Sequence, residues 1–412
     1  MSSLRNKLIK GTIWNSIAQF GTVGFNFVLT FILARLLSPE DYGLLGMVTV
    51  ITGFLGYFSE FGMIDSLVRK QNHDELDENT VFWGGIFFSV IIYILIYIIS
   101  PYISLFYDKQ ELTSISRCAS LVFIIGSYGI VPLALQFKEL NYRAISIVSL
   151  ISLFISGIIA ILLAYKGLGV WTLVIQLLVQ TLVSSVGYFL FIPWRPRFKF
   201  SIIRFRELLE FGLHRTFNNL IKFFSENIDR LLIGKILGSV PLGYYTMAFR
   251  LIRFPAEKFT SIFGKMLFPA FARMQNDTGR MRRNYLKVTI LGGLIILPFV
   301  IILLFATEPL IRWTIGEKWM PICGLVRILA IYLLIFSISL ADEPIVLLLG
   351  VKFLNFMKLL QSILLLGAGF YIVKEYNIAG MAWLYSACYL LYIITLKIKL
   401  YRILVYKQQT NN

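Results

Sequence analysis

"FILARLLSPEDYGLLGMV", residues 31–48, returns two hundred positions later as "LLIGKILGSVPLGYYTMA", residues 231–248. Each copy runs from an apolar stretch through one basic residue (Arg35, Lys235) and an apolar pair to a turn. Each then sets a glycine (Gly43, Gly243) and a methionine (Met47, Met247) in register, the glycines being expected to open the return helices. Two further phrases recur in the same order: "KELNYR" (138–143) as "KFLNFM" (352–357), and "GLGVW" (167–171) as "IAGMAW" (378–383). One such match is weak in apolar sequence. Three in one order argue for a duplicated chain.

Apolar residues make up 58% of the 412, and the mean hydropathy is +0.76, whereas soluble domains keep to roughly 45–50% apolar. This is a membrane chain. Its first apolar stretch, from near Gly11 to Arg35, outruns a signal h-region and has no small-residue cleavage site, so it reads as a retained span. With ~20 residues for each crossing of a ~30 Å hydrocarbon core, twelve spans are expected. They lie near 11–34, 43–62, 80–100, 117–137, 143–164 and 168–191, then 208–232, 243–263, 286–306, 322–342, 353–374 and 379–400. The copies of the opening phrase are six spans apart, an even number, so both halves enter the membrane in the same sense. The expectation is an all-α polytopic membrane protein of about twelve transmembrane helices in two parallel six-helix repeats, related by an axis along the membrane normal. Residues 1–192 would form one lobe, 193–207 a basic linker and 208–412 the other lobe.

The net charge of +17 is distributed by topology. With a cytoplasmic N-terminus, twenty-four Lys and Arg fall on the inner side and nine on the outer, which puts both termini inside. That excess is a topology signal and an attraction to anionic lipid heads, and it disposes of nucleic acid as a partner. The longest cytoplasmic connections are 71–80, 193–209 and 273–287, and no loop is long enough for a folded extramembrane domain. Cys118, Cys323 and Cys388 stand singly in apolar runs and read as buried, inert thiols.

Charge inside a span is costly and belongs against a wet cavity or a partner. The seventh span carries Arg215, Asn219, Lys222, Glu226 and Asp229 at spacings of 4, 3, 4 and 3, which puts all five on one helix stripe. Arg250, Arg253 and Glu257 share a face of the eighth, with Arg253 about 15 Å below Gly243 at 1.5 Å per residue. The first span answers with Asn15, Gln19, Thr22 and Asn26, and the second with Thr49, Thr52, Gly56 and Glu60. Two readings stand. The cations pair with Glu226, Asp229, Glu257 and Glu60 to hold the halves together, or they line a solvated cavity for an anionic headgroup, where guanidinium binds phosphate bidentately.

Other candidates are weaker. His73 in "HDELDEN" reads as part of a solvated loop, with Asp74 placed to cap the next helix. His214 beside Arg215 reads as a packed or interfacial ring, and Asp342 with Glu343 ends the tenth span, where a coupling ion is one reading. No GxxxxGK[ST], HExxH or GxSxG motif is present, so nothing points to ATP hydrolysis or covalent chemistry.

"ARLLSPEDYGLLGMV" followed by "FSEFGMIDSLVRK", then "WRPRFKFS" and "ENIDRLLIGKILGSVPLGYYTMAFRL", resembles the polysaccharide flippases of the lipopolysaccharide, colanic acid and teichuronic acid exporter type. These share a superfamily with the MATE drug exporters and the peptidoglycan lipid II flippase. Many members run to fourteen spans, two more than are read here. The resemblance implies V-shaped six-helix lobes around a central cavity in a bacterial cytoplasmic (inner) membrane, and no catalytic activity. It implies as substrate an oligosaccharide on undecaprenyl pyrophosphate, with membrane lipids, a glycan polymerase and a chain-length regulator as partners. On that footing Arg215, Lys222, Arg250 and Arg253 would hold pyrophosphate or acidic sugars. Asn15, Gln19, Asn26 and Asn219 would meet sugar hydroxyls. Glu226, Asp229, Glu257 and Glu60 would make the cavity amphoteric and are candidates for binding a coupling ion, Na+ or H+; no other cofactor is expected. The rivals are an ion-coupled MATE-like exporter of small organic cations, a polytopic glycan polymerase or ligase, and a structural scaffold.

Overall fold

The computed structural model describes residues 21–274, 277–349 and 351–409, and every regular element among them is a helix. They divide into two compact units, one up to Phe223 and one from Phe224.

The first unit opens with α1 (Gly21–Leu36) and α2 (Pro39–Glu60), joined through the first copy of the opening phrase. Ser38 ends the turn with a capping box. Its hydroxyl accepts from the Asp41 N–H at 3.2 Å, and the Asp41 carboxylate accepts from the Ser38 N–H at 2.7 Å, so orphan donors of the first turn are satisfied before Pro39 starts the helix. The helices that follow are α3 (Met63–Arg69), α4 (Glu75–Tyr107), α5 (Glu111–Ala119), α6 (Leu121–Ser127), α7 (Ile130–Lys138), α8 (Tyr142–Tyr165) and α9 (Val170–Leu190), then α10 (Ile202–Leu237), within which the unit ends.

The second unit contains α11 (Ser239–Arg273), α12 (Thr278–Phe305), α13 (Thr307–Thr314), a 3-10 turn (Glu317–Ile322), α14 (Cys323–Ser337), α15 (Asp342–Leu349) and α16 (Val351–Gln409). Asn377, at φ 55, breaks α16 into two helices just before "IAGMAW". The second copy of the phrase turns at Gly238, whose φ of 88 is open to glycine and strained for other residues. Both return helices start four residues before Gly43 and Gly243. The glycines therefore sit inside the helices and do not open them. Tyr42 and Leu242, Met47 and Met247, and Val48 and Ala248 are buried in both copies, so what the duplicated phrase preserves is a packing face.

Helix α8 shows how such a chain packs. Val148, Ser152, Ser156, Ala160 and Ala164 are buried at every fourth position, while Ile151, Phe154, Ile155, Ile158 and Leu162 face outward. Small residues inside and large apolar ones outside is the pattern of helices that associate by close approach within lipid. Helix α4, thirty-three residues long, spans about 50 Å at 1.5 Å per residue, against a hydrocarbon core of ~30 Å, so it carries residues beyond the apolar zone.

Three sequence expectations change. The connection 71–80 is mostly the start of α4, which Asp74 caps through a capping box with Asp77. The connection 273–287 is mostly the start of α12. The single fourth span is α5, α6 and α7, with a 46° bend between Ser127 and Ile130. Pro132 accounts for that bend, because it has no N–H for the Tyr128 carbonyl four residues back and its ring crowds that carbonyl.

By length and apolarity, seven helices among the described residues can cross a membrane, or eight if the bent pair counts as one. Only sixteen residues of α1 are described, charges lower the hydropathy of α10 and α11, and α16 merges two helices.

Candidate functional site

Within the first unit a cavity of about 610 Å³ opens between α2, the α2–α3 turn, α6, α9 and α10. Helix α2 presents Gly53, Gly56, Tyr57 and Ser59 to it, and two of these glycines decide its walls. A Cβ on Gly56 would lie 2.7 Å from Cε1 of Phe123, and one on Gly53 would lie 3.0 Å from Cε2 of Phe223. Their absence lets the two rings close on the helix backbone. Tyr57 meets Phe223 edge to face at 5.7 Å. The result is an aromatic chamber against the C-terminal part of α2 and the turn that follows it.

Three of its hydroxyls share one property. Ser59 donates to the Gly56 carbonyl at 2.8 Å, Thr181 to Leu177 at 2.9 Å and Thr216 to Gly212 at 3.0 Å. Each hydroxyl proton is used within its own helix, which leaves oxygen lone pairs toward the chamber. Asp65, an exposed residue, is also in the lining. Among the described residues no lysine or arginine lines it.

Of the residues singled out in the sequence, Asn15 and Gln19 lie outside the described residues. Arg215, Asn219, Lys222, Arg253, Glu257 and Glu60 sit on helical backbone, but their side chains, like that of His214, lie outside the described residues. The one-face spacing of 215, 219, 222, 226 and 229 therefore holds at the level of the backbone, because α10 runs unbroken through all five. Thr216 and Phe223, seven residues apart, form the neighbouring face that lines the chamber. Asn26 is half-buried and donates to the Thr22 carbonyl at 2.9 Å, a bond within α1. Arg250 is exposed and Glu226 half-buried. Asp229 is 2% exposed and accepts from the Tyr245 hydroxyl at 2.7 Å, which ties α10 to α11 within the second unit. Thr49 and Thr52 donate back into α2 and are not lining residues, whereas Gly56 is.

Two polar networks escape a reading of local sequence. At the start of α4, Asp77 is fully buried and bonded to Lys70 at 2.7 Å and to Arg204 at 2.9 Å. There the linker is fastened down: Asn79 accepts from the Arg197 N–H at 2.5 Å, Trp83 donates to the Arg197 carbonyl at 2.8 Å, and Thr80 accepts from the Ser201 N–H at 3.2 Å. Phe198 stacks on Trp83 at 4.8 Å. His73 belongs to the same end of the unit and is no free loop residue, since it lies 3.1 Å from Glu78 and 2.6 Å from Lys138. At the other end Lys109 donates to Glu40 at 2.7 Å, and that bond holds its ammonium above the ordinary lysine value.

In the second unit Asp342 is fully buried, accepts from the Tyr285 hydroxyl at 2.9 Å and pairs with Lys397 at 3.2 Å. Lys397 also donates to Tyr285 at 2.9 Å and to the Ile338 carbonyl at 3.2 Å, so its three protons have partners. Beside it Glu343 takes Lys358 at 3.1 Å and the Tyr392 hydroxyl at 3.1 Å. A cation drawn to Asp342 finds an ammonium already there. Among the described residues no group of three His, Cys, Asp or Glu is placed to hold a metal ion.

A model of the polysaccharide biosynthesis protein family matches residues 32–324. The chain is 27% identical over 339 residues to the lipopolysaccharide biosynthesis protein WzxC of Escherichia coli, covering 82% of this chain and 69% of that protein. It is 25% identical over 392 residues to the teichuronic acid biosynthesis protein TuaB of Bacillus subtilis, covering 94% and 80%. Among solved structures, an inward-facing multidrug resistance MATE transporter of the MOP superfamily matches with a TM-score of 0.70 at 15% identity, covering 97% of this chain and 99% of that one. The lipid II flippase MurJ also matches at 0.70 and 15%, covering 94% and 87%. At such identity these two establish the fold, which is that of membrane transporters.

Proposed function

The chain belongs to the polysaccharide biosynthesis protein family, and from that premise we propose that it moves an undecaprenyl-pyrophosphate-linked oligosaccharide unit from the inner to the outer leaflet of a bacterial cytoplasmic membrane. The observation that carries this reading is the match of that family to a chain with a transporter fold shared with a lipid flippase. The protein is a transporter and not an enzyme. Only the polar head of such a substrate needs a path through the protein, because the lipid tail stays in the bilayer. A polar groove without catalytic groups suits that task.

In this reading Lys222, Arg253, Arg250 and Arg215 hold the pyrophosphate, through bidentate contacts where guanidinium is available. Asn219, Asn15, Gln19 and Asn26 meet sugar hydroxyls, and Glu226, Glu257 and Glu60 remain the candidates for a coupling Na+ or H+. The Asp229 carboxylate, tied to Tyr245, suits a structural part better than a release step. The test is glycan export in flippase-deficient cells expressing this chain. Wild type restores surface glycan, and Lys222→Ala with Arg253→Ala loses it at equal protein level. Normal export by the double variant would remove the cationic site, and resistance to organic cations without glycan export would favour a drug exporter.

A further inference from the structure

We propose that Tyr285, Ile338 and Asp342 build a cation site in the second unit, which takes one compact monovalent cation and which the chain fills with the ammonium of its own Lys397. Close approach sets the site. Tyr285 and Gly292, seven residues apart, share a face of α12, and a Cβ on Gly292 would lie 2.5 Å from the Ser337 carbonyl oxygen. Glycine there lets α12 rest on the end of α14 and brings the Tyr285 hydroxyl to the turn between α14 and α15. That turn supplies the other two groups. Ile338 closes α14, where carbonyls lack partners within the helix and carry the negative end of its dipole. Asp342 starts α15 and is fully buried.

Four oxygens surround Nζ of Lys397: the Tyr285 hydroxyl at 2.9 Å, the Ile338 carbonyl at 3.2 Å, and Asp342 Oδ2 at 3.2 Å and Oδ1 at 3.4 Å. All four turn lone pairs toward it, because the Tyr285 proton is already given to Oδ1 at 2.9 Å. Oδ2 takes no hydrogen bond from the described residues, so its contact with Nζ is electrostatic.

An ion pair needs only the carboxylate. Here a phenol and a carbonyl complete a shell, much as the oxygens of a channel filter replace the water around an ion. Charge decides the valence: Asp342 balances one cation, since the neighbouring Glu343 is paired with Lys358 at 3.1 Å. Size points the same way, because calcium and magnesium need oxygens at about 2.0–2.6 Å. These oxygens stand at ammonium distance, which potassium also suits. Lys397 keeps 31% of its side chain exposed, so the site is not sealed. The site stands without the transport reading and has one consequence for it. No coupling ion is taken from solution at Asp342, because the lysine holds its place.

The experiment uses the full chain in detergent and reads its melting temperature in potassium chloride, methylammonium chloride or tetramethylammonium chloride at equal ionic strength. Lys397→Ala clears the ammonium and its arm and should lower the melting temperature. Potassium and methylammonium should each raise it again by a few degrees, saturably, and the bulkier tetramethylammonium should not. Wild type, already filled, should melt alike in all three salts, and so should Lys397→Ala with Asp342→Asn. Lys397→Arg is the second variant. A plain ion pair accepts guanidinium, which binds carboxylate bidentately, whereas an ammonium-sized shell does not, so this variant should melt below wild type. The proposal is overturned if Lys397→Ala responds to the salts no more than wild type, if acidification alone restores it, or if Lys397→Arg melts with wild type. Should Lys397→Ala yield no folded protein, Lys397→Arg decides alone. None of these outcomes depends on glycan export, which tests the transport reading separately.

Discussion

Asp77 has no exposed surface and three protein donors, from Lys70, Arg204 and the Asp74 N–H. A buried charge left without its partner costs about 3–5 kcal/mol, far more than a surface pair contributes. Removing the guanidinium with Arg204→Ala leaves Lys70 to hold Asp77, whereas Lys70→Ala with Arg204→Ala leaves the carboxylate stranded. The double variant should lose about 3–5 kcal/mol and the single one clearly less, as read by thermal unfolding in detergent. Asp342 and Lys397 pose the same problem in the second unit, with a cleaner test. Lys397→Met alone should destabilise by about 3–5 kcal/mol, while Lys397→Met with Asp342→Leu should recover most of the loss, since an apolar pair of similar volume replaces a buried ion pair at little cost. Little of this was legible locally. Asp74 announced a helix start, but Arg204 is 127 positions from Asp77 and Lys397 is 55 from Asp342, distances over which a single sequence offers no pairing signal.

Helix by helix, legibility follows how many requirements a position obeys. Apolar length was enough to find α8 and α9 near their observed bounds, and the repeated phrase located a turn in each half, though not that Ser38 and Gly238 make it. The ends of α4 and α12 were misplaced because both helices continue past the apolar zone into charged turns, where hydropathy falls although backbone hydrogen bonding goes on. The chamber was half visible: Gly56 belonged to a stripe read from the sequence, but its ring neighbour Phe123 comes from a helix 67 positions on, and Phe223, against Gly53, from one 170 positions on. Close approach also fixes where α10 crosses the end of α2. A Cβ on Gly212 would lie 1.7 Å from the Phe61 carbonyl oxygen, backbone that cannot swing aside as a side chain does. Phe61 itself sits at φ 42, in the left-handed turn that ends α2. Gly212→Ala should therefore cost more than the roughly 1–3 kcal/mol of ordinary overpacking, and the expected result is loss of folded protein from the membrane fraction. Gly324→Ala, where an added Cβ meets nothing within 4 Å, is the matched control and should leave the yield unchanged.

At the scale of the whole chain, duplication and charge were the strongest signals, because each sums many weak residues. Three repeated phrases gave the halves, and two of them coincide with observed breaks, at Ser38 and Gly238 and at Gly169 and Asn377. In the third the two copies differ locally: Asn141 caps α8, whereas Asn355 lies in the first turns of α16. The charge asymmetry makes a claim about orientation that labelling can decide. If both termini are cytoplasmic, the linker faces inward and the stretch between α13 and α14 faces outward. Lys199 and Glu317 are exposed at these two places. Glu317→Cys should react with a membrane-impermeant maleimide in intact cells, and Lys199→Cys only after permeabilisation. Background is low because Cys323 and Cys388 are buried and Cys118 is partly buried. The reverse pattern would invert the chain. It would place the clamp of Asp77 and Arg204 on the outer face, and the excess of Lys and Arg with it, against the rule by which such chains insert.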